Sequence, residues 1–374
     1  MAREMEMVEP KMRVIGVSLP DVSDWRDPAP AGKWSQFFGA LSGRLTVTGV
    51  IRPRLSALEE YLALARAVRP SRARWLASAG FSASRRQQLD ATLERELRVR
   101  SGSYDLIVQL QTRCSPPRPY VIYTDNTMAL TQGLYPQYAP LGSRQAQEWL
   151  RFEAWVCREA EVVFTFSEFA RGSVIADYGC PPERVLAVGA GANQLAATIE
   201  HRDHAQPRAL FVGNEFKRKG GEVLMSAWRL VREGIPDAQL VVAGPNCGSS
   251  SALPPGVTWL GRLTRDELEA QYRAATMFVM PSLFEAWGHV FVEAMGYGLA
   301  CIGSDCCAMP EIIDDGVTGV LAAPGDPEAL ARALVDLLGD PVKAEAMGRA
   351  GHAKVLSTLT WGHVADRVVS RLLA

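Results

Sequence analysis

Short apolar runs alternate with amphipathic stretches along the whole chain, in two series separated by an aperiodic break. Apolar runs of four to eight residues bounded by turn residues read as buried strands, and a 3.6-residue apolar period reads as a helix. Strict alternation of the two calls for a parallel sheet with helices packed on its faces, because parallel neighbours need a crossover between them. In the first series the candidate strands are 13–19, 45–50, 106–111, 120–124, 162–166 and 185–188, and the candidate helices are 55–67, 84–99, 143–160 and 168–177. The break, 194–207, has no clear period and ends in Pro207. Beyond it come strands 209–212, 239–243, 257–260, 276–279 and 300–303, with helices 222–232, 265–274, 290–296, 327–338 and 341–355. Thr264 and Glu267 form a capping box, while Asp326 and Pro327 mark an N-cap and a first helical position. A last amphipathic stretch, 361–373, carries Val364, Val368, Val369 and Leu372 at helical spacing. The expectation is an α/β chain of two doubly wound domains, 1–200 and 201–357, with a terminal helical segment 358–374.

Composition narrows what such a chain can do. Its 374 residues are 48% hydrophobic and 22% charged, enough for two cores. With 40 Lys and Arg against 41 Asp and Glu, the net charge of −1 supplies no global field for nucleic acid. The seven cysteines, Cys114, Cys157, Cys180, Cys247, Cys301, Cys306 and Cys307, form no CxxC pair and fit buried thiols in a reducing cytoplasm. Residues 1–7 carry acidic side chains where a signal peptide needs a basic flank, and no apolar run reaches the ~18 residues of a membrane span. One local exception to the even charge stands out. Residues 51–100 contain eleven Arg against five Asp and Glu, a local charge of 11 − 5 = +6. Arg66, Arg69, Arg72, Arg74, Arg85 and Arg86 read either as solvated helix surface or as a basic face able to meet an anionic surface.

Open parallel sheets bind ligands in the loops at the carboxyl ends of their strands. The loop after strand 276–279 is the most informative of these. In Pro281-Ser282-Leu283-Phe284-Glu285-Ala286-Trp287-Gly288-His289-Val290-Phe291-Val292-Glu293, the two glutamates are eight residues apart and cannot share a helical face at ~100° per residue. A helix starting near His289 leaves Glu285 in the loop and puts Glu293 one turn inside. It also presents backbone N–H groups from Trp287 to Phe291 as an anion site, with Gly288 allowing close approach.

This stretch resembles the E-x7-E motif of retaining glycosyltransferases of family 4, which have the GT-B fold. Gly303-Ser304-Asp305 with Pro310-Glu311-Ile312-Ile313-Asp314-Asp315-Gly316-Val317-Thr318-Gly319 is similar to another segment of that family. So are Phe211-Val212-Gly213 with Lys219-Gly220-Gly221, and Val241-Val242-Ala243-Gly244-Pro245. The resemblance spans about residues 208–325 in the right order. It implies two Rossmann-like domains facing a cleft and a C-terminal helix crossing back to the first. The first domain would bind the acceptor and the second a nucleotide sugar.

Carried onto this sequence, the resemblance assigns Glu293 to the ribose hydroxyls and Glu285 to hydroxyls of the donor sugar. Lys219 would neutralise the diphosphate, and Gly288, His289 and Val290 would take the remaining charge at the helix end. Gly213 and Gly244 belong to the donor-site turns. The family places Arg after the first of these glycines, whereas Asn214 stands here, so Arg218 or Lys217 would supply the second cation. At the end of strand 120–124 the family carries a His-Asp pair and this chain Thr124-Asp125. Asp125 reads as positioning the acceptor hydroxyl or as a helix N-cap. Ser167 reads as a cap or a phosphate contact, and Gly32-Lys33-Trp34-Ser35 as a glycine-containing loop.

The implied partners are a nucleoside diphosphate sugar as co-substrate and a glycan or lipid-linked acceptor. No Asp-x-Asp signature is present, and the resemblance implies catalysis without an essential divalent ion, so no metal and no resident cofactor are expected. The expected location is cytoplasmic, with peripheral contact to the inner membrane surface through residues 51–100. Two alternatives stay open from the residues: a nucleotide-sugar-binding subunit without activity, suggested by Asn214 and Thr124, and a nucleotide-sugar epimerase.

Overall fold

The structure, a computed structural model, describes residues 11–19, 32–196, 198–199, 207–245 and 253–374. The acidic start 1–7, most of the second half of the 194–207 break and Cys247 lie outside the described residues. The chain divides into two compact units: residues 1–166, 170–188 and 364–374 form the first, and residues 167–169 and 189–363 the second. These edges fall at 188/189 and 363/364, where the sequence alone places them at 200/201 and 357/358.

The first unit holds β1 (Arg13–Val17), α1 (Lys33–Ser42), β2 (Thr46–Ile51), α2 (Ala57–Arg66), α3 (Arg72–Gly80), α4 (Ala83–Val99), β3 (Leu106–Leu110) and β4 (Tyr120–Thr124). After these come α5 (Met128–Leu134), α6 (Ser143–Glu159), β5 (Val163–Thr165), α7 (Glu168–Ala176) and β6 (Val185–Ala187). The first residues of α7 belong to the second unit. The strands are parallel, in the order β2-β1-β3-β4-β5-β6. Their residues are apolar on both faces because helices cover both, and β3 and β4 are buried throughout. The chain runs outward from β1 to β2 and then crosses back to β3, so the order reverses between β1 and β3.

Helix α1 replaces the loop expected at Gly32–Ser35. Trp34, Phe37, Phe38 and Leu41 recur at i, i+3, i+4 and i+7 and are all buried, with Gly32 at the N-cap. Ser56 and Glu59 close a reciprocal capping box at the start of α2. The N-cap of α5 is Thr127, whose hydroxyl accepts from the Leu130 N–H, so the N-cap reading of Asp125 does not hold.

The second unit repeats the plan with β7 (Arg208–Val212), α8 (Gly221–Gly234), β8 (Gln239–Ala243), β9 (Val257–Gly261), α9 (Arg265–Ala274), β10 (Met277–Met280) and α10 (His289–Gly296). It continues through β11 (Ala300–Ser304), α11 (Met309–Ile312), β12 (Gly319–Ala322), α12 (Pro327–Gly339), α13 (Pro341–Thr358) and α14 (Trp361–Leu372). From Val364 onward α14 belongs to the first unit. The sheet order is β12-β11-β10-β7-β8-β9, again parallel. Strands β8 and β9 are laid down on one side of β7 and β10 on the other, so the loops after β7 and β10 open at the topological switch point. The expected caps are present: Thr264 and Glu267 bond reciprocally, and the Asp326 carboxylate accepts from the Glu328 and Ala329 N–H groups at 2.9 Å each.

Of the described cysteines, Cys114, Cys157, Cys180 and Cys301 are buried thiols, and Cys306 and Cys307 are half-buried. No helix among the described residues is long and apolar enough to cross a membrane.

Candidate active site

Two loops of the second unit, one after β7 and one after β10, are joined through their backbones. The Leu283 N–H donates to the Arg218 carbonyl at 2.9 Å, and the Arg218 guanidinium donates to the Phe284 carbonyl at 2.7 Å. Gly220, at φ +73, sits so close to Pro281 that any Cβ would strike the Pro281 carbonyl. Only glycine combines that left-handed turn with that approach. The turn opens α8 and sets the preceding Lys219 side chain toward Glu285.

The charges in this place are tightly arranged. Arg218 donates to Glu215 at 2.7 and 2.8 Å and reaches a Glu285 carboxylate oxygen at 3.3 Å. The Lys219 ammonium lies 3.7 Å from the same oxygen and 3.3 Å from the Met280 sulfur. These three side chains keep little exposure, 12% for Arg218, 13% for Lys219 and 15% for Glu285. Burial pushes the Lys219 ammonium below the usual lysine range, and the nearby Glu285 carboxylate opposes that shift. The two cations thus converge on one carboxylate.

Beside them lies a cavity of about 480 Å³ lined by Gly213, Asn214, Arg218, Lys219, Gly244, Arg262 and Val290, among others. Its floor is shaped by two glycines in contact: a Cβ on Gly244 would collide with the Gly213 carbonyl, and a Cβ on Gly213 would collide with the Lys219 side chain. Of the residues that the resemblance assigns to the donor site, Gly213, Arg218, Lys219, Gly244 and Val290 line this cavity. Lys217 does not line it. Its side chain is 74% exposed and faces Glu222 at 3.8 Å. Arg262, which follows β9 directly, is a cation that the sequence reading missed. A Gly-Arg pair at the end of a strand was the available signal.

Glu293 is not the surface residue that an isolated helical glutamate would be. It is buried in α10, where one oxygen accepts from Asn193 Nδ2 at 3.0 Å and the other from the Tyr272 hydroxyl at 3.4 Å. Among the described residues no cation stands within ion-pair distance of it. Burial therefore pushes its carboxyl above the usual range, with the Asn193 and Tyr272 bonds opposing. A carboxylate has about four acceptor positions, so two protein donors leave room for further hydroxyl donors. The helix start itself is narrower than the sequence implies. The Phe291 N–H already donates to the Gly288 carbonyl at 2.9 Å. A Cβ on Gly288 would press on Phe291 and Met309, so this glycine also serves packing. His289 stacks on Trp361 with ring centroids 6.0 Å apart.

Asp125 belongs to the first unit, just past the carboxyl end of β4. Its carboxylate pairs with the Lys33 ammonium at 2.7 Å and lies 3.5 Å from Gln111 Nε2. Ser167 gives its hydroxyl to the Ala286 carbonyl at 3.3 Å. The first amides of α7, those of Glu168 and Phe169, donate to the Glu311 carboxylate at 2.7 and 2.9 Å.

Residues 206–340 match the family described as glycosyl transferases group 1. The alpha-maltose-1-phosphate synthase of Mycobacterium tuberculosis (strain ATCC 25618 / H37Rv) is 31% identical over 222 residues, covering 53% of this chain and 50% of that protein. The D-inositol 3-phosphate glycosyltransferase of Thermobifida fusca (strain YX) is 28% identical over 314 residues, covering 74% of this chain and 71% of that protein. The match thus spans about half the length of the first of these relatives. Among solved structures, sucrose-phosphate synthase from Thermosynechococcus elongatus superposes with a TM-score of 0.69 at 19% identity, over 97% of this chain and 99% of that one. Anabaena HepE in complex with UDP and glucose gives 0.66 at 15% identity, over 96% of this chain and 99% of that one. Residues 206–340 thus resemble the group 1 glycosyl transferases, and the chain has the GT-B fold.

Proposed function

We propose that this protein is a retaining glycosyltransferase that moves a sugar from a nucleoside diphosphate donor to an acceptor hydroxyl without a metal ion. The observation that carries the reading is the convergence of Lys219 and Glu285, from the two loops at the switch point, beside the cavity formed by Gly213 and Gly244. Lys219 and Arg262 receive the diphosphate, whose charge grows as the bond to the sugar breaks. Fixed cations in a buried site stabilise that charge without reorganising. Glu285 accepts from hydroxyls of the donor sugar and orients its anomeric carbon. Glu293 uses its remaining acceptor positions for the ribose hydroxyls, and Asp125 positions the acceptor hydroxyl. The solved relative HepE is described with UDP and glucose, and a curated relative from Corynebacterium glutamicum is named as GDP-mannose-dependent. These names support a nucleotide sugar as donor for this chain.

The test is incubation with UDP-, GDP- and ADP-sugars over a panel of acceptors, reading nucleotide release and the anomeric configuration of the product, with and without EDTA. Release with retained configuration and no effect of EDTA is the expected result. Binding without turnover across the panel would leave an inactive sugar-nucleotide-binding subunit. Interconversion of the free donor would make the protein an epimerase.

A second part of the reading concerns location. Leu58, Tyr61, Val68 and Leu76 are exposed at 66%, 67%, 62% and 49% on and between α2 and α3. Exposed Arg66, Arg69, Arg72 and Arg74 lie among them. Exposed apolar side chains interspersed along the chain with arginine suit an anionic lipid surface. Two arginines leave this face: Arg85 pairs with Glu60 at 2.8 Å, and Arg86 stacks on Phe152 at 4.1 Å.

A further inference from the structure

The first unit contains a half-buried cation that the proposed function does not use. Arg113 follows β3, in the loop at the switch point between β1 and β3. Its guanidinium lies 4.4 Å from the centre of the Phe81 ring and 5.8 Å from that of Trp149. Burial pushes it below the usual arginine range. Yet among the described residues no carboxylate stands within ion-pair distance of it, and no carbonyl accepts from it. A half-buried guanidinium between aromatic rings that spends none of its five donors on protein oxygens leaves those donors for another acceptor.

The space it faces is built for a small polar group. Arg113 lines a cavity of about 110 Å³ together with Thr112, Thr124, Asn126, Thr127 and Glu153. Asn126 donates to Thr131 Oγ1 at 2.7 Å, while its own buried Oδ1 has no partner among the described residues. Glu153, the acidic wall, already has three protein donors. It accepts from the Thr112 hydroxyl, from the Tyr178 hydroxyl at 2.6 Å and from the Met128 N–H at 2.9 Å. The backbone is shaped for this arrangement too. Gln111, between β3 and Arg113, has φ +60, a conformation that a non-glycine residue holds only when its surroundings impose it.

We propose that this cavity is an oxyanion subsite, in which Arg113 binds the phosphate or carboxylate group of an anionic acceptor and Asn126 Oδ1 accepts from a neighbouring hydroxyl of the same molecule. The word acceptor rests on the glycosyltransferase reading; the oxyanion subsite does not. Aromatic walls keep the guanidinium planar and poorly hydrated, which strengthens a paired oxyanion. The cavity is large enough for a small polyatomic anion but too small for a whole sugar ring. The rest of the acceptor would therefore extend outward past Thr124 and Asp125, where its hydroxyl is needed.

The experiment titrates the full chain with inorganic phosphate in one arm and acetate in the other, followed by calorimetry and tryptophan fluorescence, since Trp149 borders Arg113. Saturable binding is expected in at least one arm, and the stronger arm identifies the anion. Arg113→Gln should weaken it about tenfold or more, and Asn126→Asp should do the same by placing a negative charge in the cavity. Lys219→Gln should leave this binding in place, because phosphate held at the other cation site would be lost there instead. Circular dichroism and melting of each variant show that it is folded. No saturable binding in either arm, or equal binding by folded Arg113→Gln, overturns the proposal. Nucleotide binding is measured separately. Its absence with phosphate binding retained would remove the donor reading and the word acceptor while leaving the subsite.

Discussion

The Lys219 ammonium stands 3.7 Å from a carboxylate oxygen of Glu285, although the two residues lie on loops from different strands. Their meeting follows from topology. Strands β7 and β10 are neighbours in the sheet while the chain leaves them for opposite sides, so their loops open side by side. Arg218 bridges Glu215 and Glu285, so the two loops are tied by charge as well as by backbone.

Lys219→Ala removes the cation that the Gly220 turn aims at this place. Turnover is expected to fall roughly 10²-fold, as when an oxyanion donor is lost. Single-turnover assays at saturating donor check this, and wild-type turnover would place the diphosphate elsewhere.

Glu293 carries a pH signature. Its folded-state pKa is raised, so the folded protein holds this proton at pH values where the unfolded chain has released it. Stability from this group is full below the ordinary carboxyl pKa of about 4.3 and is lost as pH rises through the raised folded value. Glu293→Gln cannot titrate. Its melting temperature relative to wild type should therefore climb as pH rises from about 4 through the raised folded value. The same variant should bind the donor nucleotide more weakly by about 1–3 kcal/mol, because ribose hydroxyls lose acceptors. Melting curves across that range and calorimetry of the nucleotide test the two effects separately.

The second unit was more legible in the sequence than the first, for a physical reason. Its site is made of short, consecutive signals: a strand, then Gly213, then Lys219-Gly220-Gly221; a strand, then Glu285 and a helix start. Each falls within a dozen residues. The first unit's site depends on pairings that no local window contains, such as Lys33 with Asp125 and Thr112 with Glu153. Helix α1 is a different case. Its 34, 37, 38, 41 period was present, but the glycine at 32 argued for a loop, and tertiary burial of three aromatic rings overrode it. Helices α3, α5 and α11 and strand β12 were passed over because they span only four to nine residues, too few to show a period.

Gly220→Ala should be among the costlier single-methyl substitutions in this chain. The new Cβ meets the Pro281 carbonyl and must also hold φ near +73. A loss of more than about 1 kcal/mol is expected. Because the same turn aims Lys219, turnover should fall along with the melting temperature. A variant that melts like wild type would show that the two loops can part without cost.

In the first unit, the last turns of α14 bury Val364, Ala365 and Val368 completely, while Asp366 pairs with Arg44 at 2.5 Å and Arg367 donates to the Val188 carbonyl at 2.9 Å. The ion pair is half exposed and contributes little; the apolar stripe holds this segment. Val368→Asp should therefore destabilise the protein by about 2 kcal/mol or more through an unpaired buried charge. Asp366→Ala should stay within about 1 kcal/mol of wild type. Chemical denaturation of the two variants side by side distinguishes the terms, and the reverse order would make the ion pair the anchor.

The surface of α2 and α3 makes the last prediction. Leu58, Tyr61, Val68 and Leu76 are large apolar side chains held in water, and Arg66, Arg69, Arg72 and Arg74 are exposed along the same stretch of chain. Each arginine near an anionic leaflet contributes about 1 kcal/mol, and burying a side chain such as Leu58 or Tyr61 adds a term that salt does not screen. The two contributions separate experimentally. Sedimentation with vesicles of anionic lipid should pull the protein down at low salt, and neutral vesicles should not. Raising the salt should release most of it, because the Debye length falls to about 8 Å at physiological ionic strength and shorter beyond. Arg69→Glu with Arg72→Glu should abolish the binding at any salt. Leu58→Ser with Tyr61→Ser should leave the salt dependence intact but lower the bound fraction throughout. If anionic vesicles bind no protein at low salt, this face serves some other purpose and the acceptor is met in solution.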